Sequence, residues 1–235
     1  MIKLPQAEEE RIFAMLKVVV YDGGYGGEFF ADQLEKELPI LDIIRVIDWR
    51  NADQILASPQ KARQAAKSAL RPYIGKVDLI IFANYLLTIT SLKHFKRKYK
   101  NQKFLGLPLK QPDGFVKRDT LILTTRAVTR TINYHNFIFR IKRKTKTLTL
   151  DRWLAEIDDG ELTEQEIRDT IKSFLDRKHL EPQEIILACS QFNDIKPELK
   201  SILGRNLKIY DSTNDAIRKA SQALRLRGGT GKKAS

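Results

Sequence analysis

The sequence predicts an α/β protein made of two similar, open, mainly parallel sheets that face a shared cleft. Three observations carry this expectation. Short runs rich in Val, Ile and Leu recur along the 235 residues with helix-like stretches between them, which is how parallel strands read when both their faces are covered. Hydrophobic residues make up 42% of the chain, enough to bury a core in one large or two small domains. A weak internal echo divides the chain, because Tyr21-Asp22-Gly23-Gly24 and Phe82-Ala83-Asn84-Tyr85 end strands in the first half as Thr124-Thr125-Arg126 and Ala188-Cys189-Ser190-Gln191 do in the second.

Taken in order, Lys17 to Tyr21 reads as the first strand, followed by a glycine-rich turn and a helix from Gly27 to Leu38. Ile43 to Ile47 is the second strand. Ser58 stands before Pro59, a hydroxyl ahead of a proline in a first helical turn, so a helix begins there, runs to Tyr73 and stops near Gly75. Val77 to Phe82 and Lys103 to Leu107 are strands separated by a helix over Thr90 to Tyr99. In the second half the strands are Thr120 to Thr124, Asn136 to Ile141, Glu184 to Ala188 and Leu207 to Tyr210. Helices fall over Arg126 to Tyr134, Thr163 to Arg177 and Asp194 to Leu203, where Thr163 stands three residues before Glu166, the capping-box spacing, and Gly204 follows the last. Strands and helices alternating in this way argue for α/β crossovers.

Forty-two Lys and Arg against 29 Asp and Glu leave a formal charge of +13. A single cysteine, Cys189, excludes a disulfide framework, and with only His94, His135 and His179 beside it the ordinary zinc ligand sets are excluded too. No apolar run reaches the ~18 residues of a membrane span, and the start, Met1 to Glu10, lacks the apolar stretch of a signal peptide. These features predict a cytoplasmic protein without membrane contact.

The positive charge is clustered at Lys93 to Lys103, at Arg140 to Lys146 and in a glycine-rich tail after Arg225. Such patches attract an acidic protein or nucleic acid. No recognised nucleic-acid motif accompanies them, and a solvated helix face, a basic strand and a tail explain the same residues. Phe95 and Tyr99, four apart on the helix, are read as anchors to the sheet rather than as a stacking platform.

In open α/β sheets ligands sit beyond the carboxyl ends of the strands, so the four strand endings are where chemistry is expected. Asp22-Gly23-Gly24-Tyr25-Gly26-Gly27 joins a strand to a helix N-terminus and could present backbone N–H groups to an anion. Phe29 breaks a dinucleotide fingerprint there and no Gly-Lys-Ser/Thr follows; a tight turn whose glycines relieve strain is the plain alternative. Cys189 ends a buried strand, where it is either a small buried hydrophobe or a useful thiol beside Ser190 and Gln191.

These motifs resemble those of the glutamate racemases, within the aspartate/glutamate racemase superfamily. Val20 to Gly27 resembles the family's aromatic-Asp-Ser-Gly-x-Gly-Gly motif, with Gly23 in place of the serine. Ile81-Phe82-Ala83-Asn84-Tyr85 resembles Ala-Cys-Asn-Thr, and Leu187-Ala188-Cys189-Ser190-Gln191-Phe192 resembles Gly-Cys-Thr-His-Tyr. Smaller echoes are Gly106-Leu107-Pro108, Thr125 through Thr131 to Tyr134, Trp153 to Gly160 and Leu207 to Ser212, so order and spacing match over about residues 17–224.

The resemblance implies the two-domain racemase fold, a cofactor-independent isomerase, a small carboxylate or amino-acid ligand, and, from some family members, a homodimer or a second role binding DNA gyrase. It also implies a mechanism with two cysteines on opposite faces of the substrate, since proton exchange at two faces requires two acid/base groups. The first family cysteine falls at Ala83, whose methyl group transfers no proton, and only Cys189 is retained. The family histidine falls at Gln191, the threonine after Asn84 at Tyr85, and the carboxylate-holding Pro-Tyr-Gly segment near Asp53-Gln54-Ile55. Asp22 and Cys189 are thus the candidate catalytic residues, and Gly23, Asn84, Tyr85, Thr125, Ser190 and Gln191 the candidate substrate-binding ones.

Three readings stay open: a racemase-fold protein without racemase activity, a one-cysteine enzyme of the arylmalonate decarboxylase kind, and an atypical racemase whose second acid is Tyr85 or Asp53. The resemblance divides the chain into an N-terminal extension (1–16, an added helix), a first domain (17–103 plus 213–224), a second domain (104–212) and a disordered basic tail (225–235).

Overall fold

A computed structural model describes residues 15–107, 119–141, 145–204 and 206–226. The expected extension up to residue 14, Pro108, the middle of the second basic cluster (142–144) and the tail from 227 onward lie outside the described residues.

The first half contains β1 (Leu16–Asp22), α1 (Tyr25–Glu37), β2 (Leu41–Ile47), α2 (Ala52–Ala57), α3 (Pro59–Leu70), β3 (Leu79–Phe82), α4 (Tyr85–Lys98) and β4 (Phe104–Gly106). The second contains β5 (Thr120–Thr124), α5 (Arg126–Thr129), α6 (Ile132–Ile141), β6 (Thr145–Thr149), α7 (Asp151–Asp158), α8 (Glu164–Lys178), β7 (Glu184–Leu187), α9 (Lys196–Leu203), β8 (Lys208–Tyr210) and α10 (Thr213–Ala223). Each half forms a four-stranded sheet, in the orders β2-β1-β3-β4 and β6-β5-β7-β8. All pairings are parallel.

Successive strand residues point to opposite faces, and β1 shows what that does. Val19 and Tyr21 enter a core with Ile80, Phe82, Phe95 and Phe104 under α3 and α4. Val18 and Val20 enter a second core that reaches Ile122 and Ile186 of the other sheet, together with Phe30, Leu34, Ala216 and Ile217. A third core covers the far face of the second sheet around Leu121, Leu187, Trp153 and Phe192. The middle core therefore joins the two sheets. Phe95 is 1% exposed and packs edge-on to Phe82 at 5.2 Å, while Tyr99 leans on Phe104 at 6.2 Å, so both aromatics anchor α4 to its sheet as the sequence suggests.

Two expectations need correction. Asn136 to Ile141 is the end of helix α6, not a strand. Phe137, Phe139 and Ile141 mimic alternation, but the buried positions are Tyr134, Phe137 and Ile141, the spacing of one helical face, and Phe139 is 79% exposed. The strand lies further on, at β6, whose residues are only half buried and so lack an apolar run. The boundary after residue 103 also moves, because Phe104–Gly106 pairs with β3 and extends the first sheet.

Among the described residues no helix is long and apolar enough to cross a membrane.

Candidate functional site

Each sheet has a switch point, where the chain goes from its first strand to a neighbour on one side and then to a neighbour on the other. These lie between β1 and β3 and between β5 and β7, and crevices at such points are where open α/β sheets bind ligands. Backbone hydrogen bonds show that the two are built alike. Asp48 N–H donates to Asp22 O and Ala83 N–H to Tyr21 O in the first half; Leu150 N–H donates to Thr124 O and Ala188 N–H to Leu123 O in the second. In this frame Asp22 corresponds to Thr124, Ala83 to Ala188, and Asn84 to Cys189.

Asp22 is 1% exposed. Its Oδ1 accepts from Gly23 N–H at 2.5 Å and from Asn84 Nδ2 at 2.9 Å, while its Oδ2 is buried without a hydrogen-bond partner. Burial pushes the carboxyl up to about 7; Asn84 and the Gly23 and Gly24 backbone N–H groups pull against that, and Asp158 adds to it. The glycines have steric reasons to be where they are. A Cβ on Gly27 would run into the Asp22 side chain and, at 2.7 Å, Ile47 Cδ1. One on Gly26 would strike the side chain of Ser190 from the opposite half, with Ser190 Cβ at 2.7 Å. Gly26 thus lets the two switch points close on each other. Asn84 caps α4, its Oδ1 accepting from Leu87 N–H at 3.1 Å while its amide holds Asp22.

Across the cleft, Cys189 leads into a short 3-10 turn, Ser190–Asn193. Its thiol donates to Gln191 Oε1 at 3.7 Å, and Gln191 Nε2 donates to Asp158 Oδ1 at 2.8 Å. Burial pushes the thiol up to about 12, against the Gln191 and Phe192 backbone N–H groups; Asp22 and Asp158 raise it further. At neutral pH Cys189 is therefore a neutral thiol, a proton donor rather than a thiolate base.

The cavity between the switch points has a volume of about 300 Å³. All eight candidate residues, Asp22, Gly23, Asn84, Tyr85, Thr125, Cys189, Ser190 and Gln191, line it, drawn from four separate loops. Ala83 is fully buried and is not part of the lining. Tyr85 touches the cleft, but its phenol oxygen accepts from Ser212 N–H at 3.2 Å and meets Ser212 Oγ at 2.7 Å, and burial drives its ionisation far above the ordinary range. That geometry ties α4 to the start of α10 and argues against Tyr85 as an acid. Asp53 is exposed at the rim. Sequence reasoning did not single out Trp49, Leu56, Asp151, Leu154 or Asp158 as site residues; Asp158 carried a signal, since it lies in the Trp153 to Gly160 echo.

The basic clusters separate. Lys93, Lys96 and Arg97 on α4 face Arg140 on α6 across a groove of about 760 Å³ with Ile89, Leu92, Phe137 and Ile141 in its walls. Lys103 instead reaches Ala223 O at 2.8 Å. Among the described residues no His, Cys, Asp and Glu group could hold a metal ion.

No family model matches the chain. The glutamate racemase of Clostridium novyi is 22% identical over 202 residues, 82% of this chain and 77% of the relative, and that of Sodalis glossinidius is 23% identical over 220 residues, 87% and 73%. Among solved structures, Escherichia coli glutamate racemase in complex with L-glutamate and the activator UDP-MurNAc-Ala superposes with a TM-score of 0.78 at 19% identity, covering 94% of this chain and 87% of that one. Picrophilus torridus aspartate racemase gives 0.62 at 15%, covering 91% and 95%. Along four-fifths of its length the chain is similar in sequence to glutamate racemases, and it shares the double-sheet fold of glutamate and aspartate racemases.

Proposed function

We propose that this chain is a racemase-fold protein that retains a ligand cleft and does not racemise amino acids by a two-thiol mechanism. The observation that carries the reading is the cleft's single thiol: the chain has one cysteine, which lines the cavity, and the position of the family's other cysteine holds Ala83, a buried methyl group with no proton to transfer. Removing an α-proton from one face and returning one to the other requires two acid/base groups. Ile55 supports the same reading, because its Cδ1 lies 2.8 Å from where a Cβ on residue 23 would stand, in the space a serine there would need. A lone free thiol fits the reducing cytoplasm.

The test is proton NMR in deuterium oxide with L- and D-glutamate and L- and D-aspartate, each supplied separately, and Cys189→Ala as control. The expected result is no α-proton exchange above buffer. Exchange of both enantiomers that Cys189→Ala abolishes would overturn the reading. Exchange of one enantiomer alone would turn it toward one-cysteine chemistry, with the neutral Cys189 thiol as proton donor to a carbanion.

A second reading rests on the groove lined by Lys93, Lys96, Arg97 and Arg140, which favours a polyanionic partner, nucleic acid or an acidic protein. Binding of a fluorescent single-stranded oligonucleotide should weaken steeply with salt if phosphates are contacted; a flat salt response would remove this reading.

A further inference from the structure

The groove of about 760 Å³ between α4 and α6 has a lining that is part apolar and part basic. Ile89, Leu92, Phe137 and Ile141 supply the apolar part; Lys93, Lys96 and Arg97 of α4 and Arg140 of α6 supply the charge. Among the described residues no Asp or Glu lines it, and none of the four cations forms an ion pair. The charge is felt locally: burial first, then Arg63, Lys98, Arg97 and Lys67, hold the His94 imidazole below its ordinary value.

Apolar surface continues beyond the groove. Ile132 and Phe139 stand seven apart on α6 and so share one side of it, 71% and 79% exposed. Ile132 also lines the neighbouring cavity, which shares Ile89 and Asn133 with the groove. Large apolar side chains left in water beside an open groove mark a surface that a partner covers.

Three kinds of occupant differ in how they meet this surface. A second copy of the chain, related by a two-fold axis, would set the same lysines and arginines against one another. Nucleic acid has the opposite charge but takes hold through exposed rings on which bases stack; of the Phe and Tyr rings on α4 and α6, Tyr85, Phe95, Tyr134 and Phe137 are buried, leaving Phe139. A helix with an apolar stripe between acidic flanks satisfies both parts of the lining, its stripe against Ile89, Leu92 and Phe139 and its carboxylates against the cations.

We propose that the groove between α4 and α6 is a docking site for an acidic amphipathic helix of another protein. The inference rests on the reading that this groove takes a polyanionic partner, and it narrows that partner to a protein. Lys93, Lys96, Arg97 and Arg140 are exposed, so they steer and orient the incoming helix, while burial of its apolar stripe supplies the affinity.

The experiment uses the full chain and a synthetic helical peptide of about 16 residues, with leucines at i, i+3, i+4 and i+7 and glutamates on both flanks. Its comparators are the same leucines with lysine flanks, a glutamate homopolymer of equal length and a single-stranded oligonucleotide, all read by fluorescence anisotropy. The glutamate-flanked helix is expected to bind most tightly. Lys96→Glu and Arg140→Glu should each weaken it roughly tenfold, and Phe139→Ser roughly fivefold; all three residues are exposed, so circular dichroism should show an unchanged fold. No binding of the glutamate-flanked helix, equal binding of the homopolymer or of the lysine-flanked helix, or affinity unchanged in the three variants would each overturn the proposal. Oligonucleotide binding without peptide binding would overturn it and leave the polyanion reading standing, whereas binding of neither removes both. A dimer that Phe139→Ser dissolves in analytical ultracentrifugation would assign the surface to a second copy and overturn it too.

Discussion

The two halves of the molecule share a strand order and a hydrogen-bonding plan at their switch points, yet they put different chemistry on it. Where the first half sets Asp22 and Asn84, the second sets Thr124 and Cys189. The first half contributes a rigid acceptor, a buried carboxyl clamped on one oxygen by Gly23 and Asn84. The second contributes a donor, a thiol whose proton is aimed along Gln191 toward Asp158. A duplicated fold thus produces one site that neither half contains. Asp22 pushes the Cys189 thiol further toward its protonated form.

Selective chemistry on the two groups sharpens this comparison most. With the thiol raised from 9.0 to about 12, the thiolate fraction at pH 8 is about a thousandfold below that of an unperturbed cysteine. Alkylation of Cys189 by iodoacetamide, followed by mass spectrometry, should be slower than that of a free thiol by about this factor and should accelerate steadily up to pH 10. Labelling at the free-thiol rate would mean that the second half offers a thiolate after all.

Asp22→Asn tests the first half through pH. The folded carboxyl at about 7 lies above its value of 3.8 without the fold, so the folded state binds the proton more tightly. The native protein then pays nothing below pH ~4, loses stability as pH rises toward 7, and bears the full cost above that. Three units correspond to on the order of 4 kcal/mol at most. The variant keeps the acceptor for Gly23 and Asn84, so its melting temperature should match the native one at acid pH and exceed it at pH 8. Equal stabilities at pH 8 would mean that Asp22 is not strained in the fold.

The closeness of the halves is next. Gly26→Val should cost about 3 kcal/mol by overpacking against Ser190, a fall of roughly 6–12 °C in melting temperature for a chain of this size. If scanning calorimetry shows no change, the two switch points do not press together as described. The smallest effect is confined to one half. Thr163→Ala removes the capping box of α8, in which Thr163 Oγ1 accepts from Glu166 N–H at 3.2 Å and Glu166 accepts from Thr163 N–H at 3.1 Å. It should cost about 1 kcal/mol and leave ligand binding in the cleft unchanged.

Much of this is legible in the sequence. Strands buried on both faces, such as Val18-Val19-Val20 and Ile185-Ile186-Leu187, announce themselves because every residue must be apolar. The Thr163 cap and the Ser58-Pro59 helix start are local hydrogen-bonding rules written over a few residues. The strand-end loops could be nominated because a parallel sheet puts ligands at its carboxyl edge, and all eight nominated residues line one cavity.

The errors came where local pattern and tertiary burial disagree. Residues 136–141 alternate like a strand, but Phe139 is left in solvent once α6 packs on Phe137 and Ile141, and β6 escaped notice because half-buried residues need not be apolar. The sequence alone determined the alternation of elements, the single thiol and the net positive charge. Only the tertiary structure decided that Asp22, Asp53, Asp151 and Asp158 line one cleft, that Tyr85 meets Ser212 through its hydroxyl, and that burial raises the Cys189 thiol, because each depends on which distant residues are brought within a few ångströms and which are removed from water.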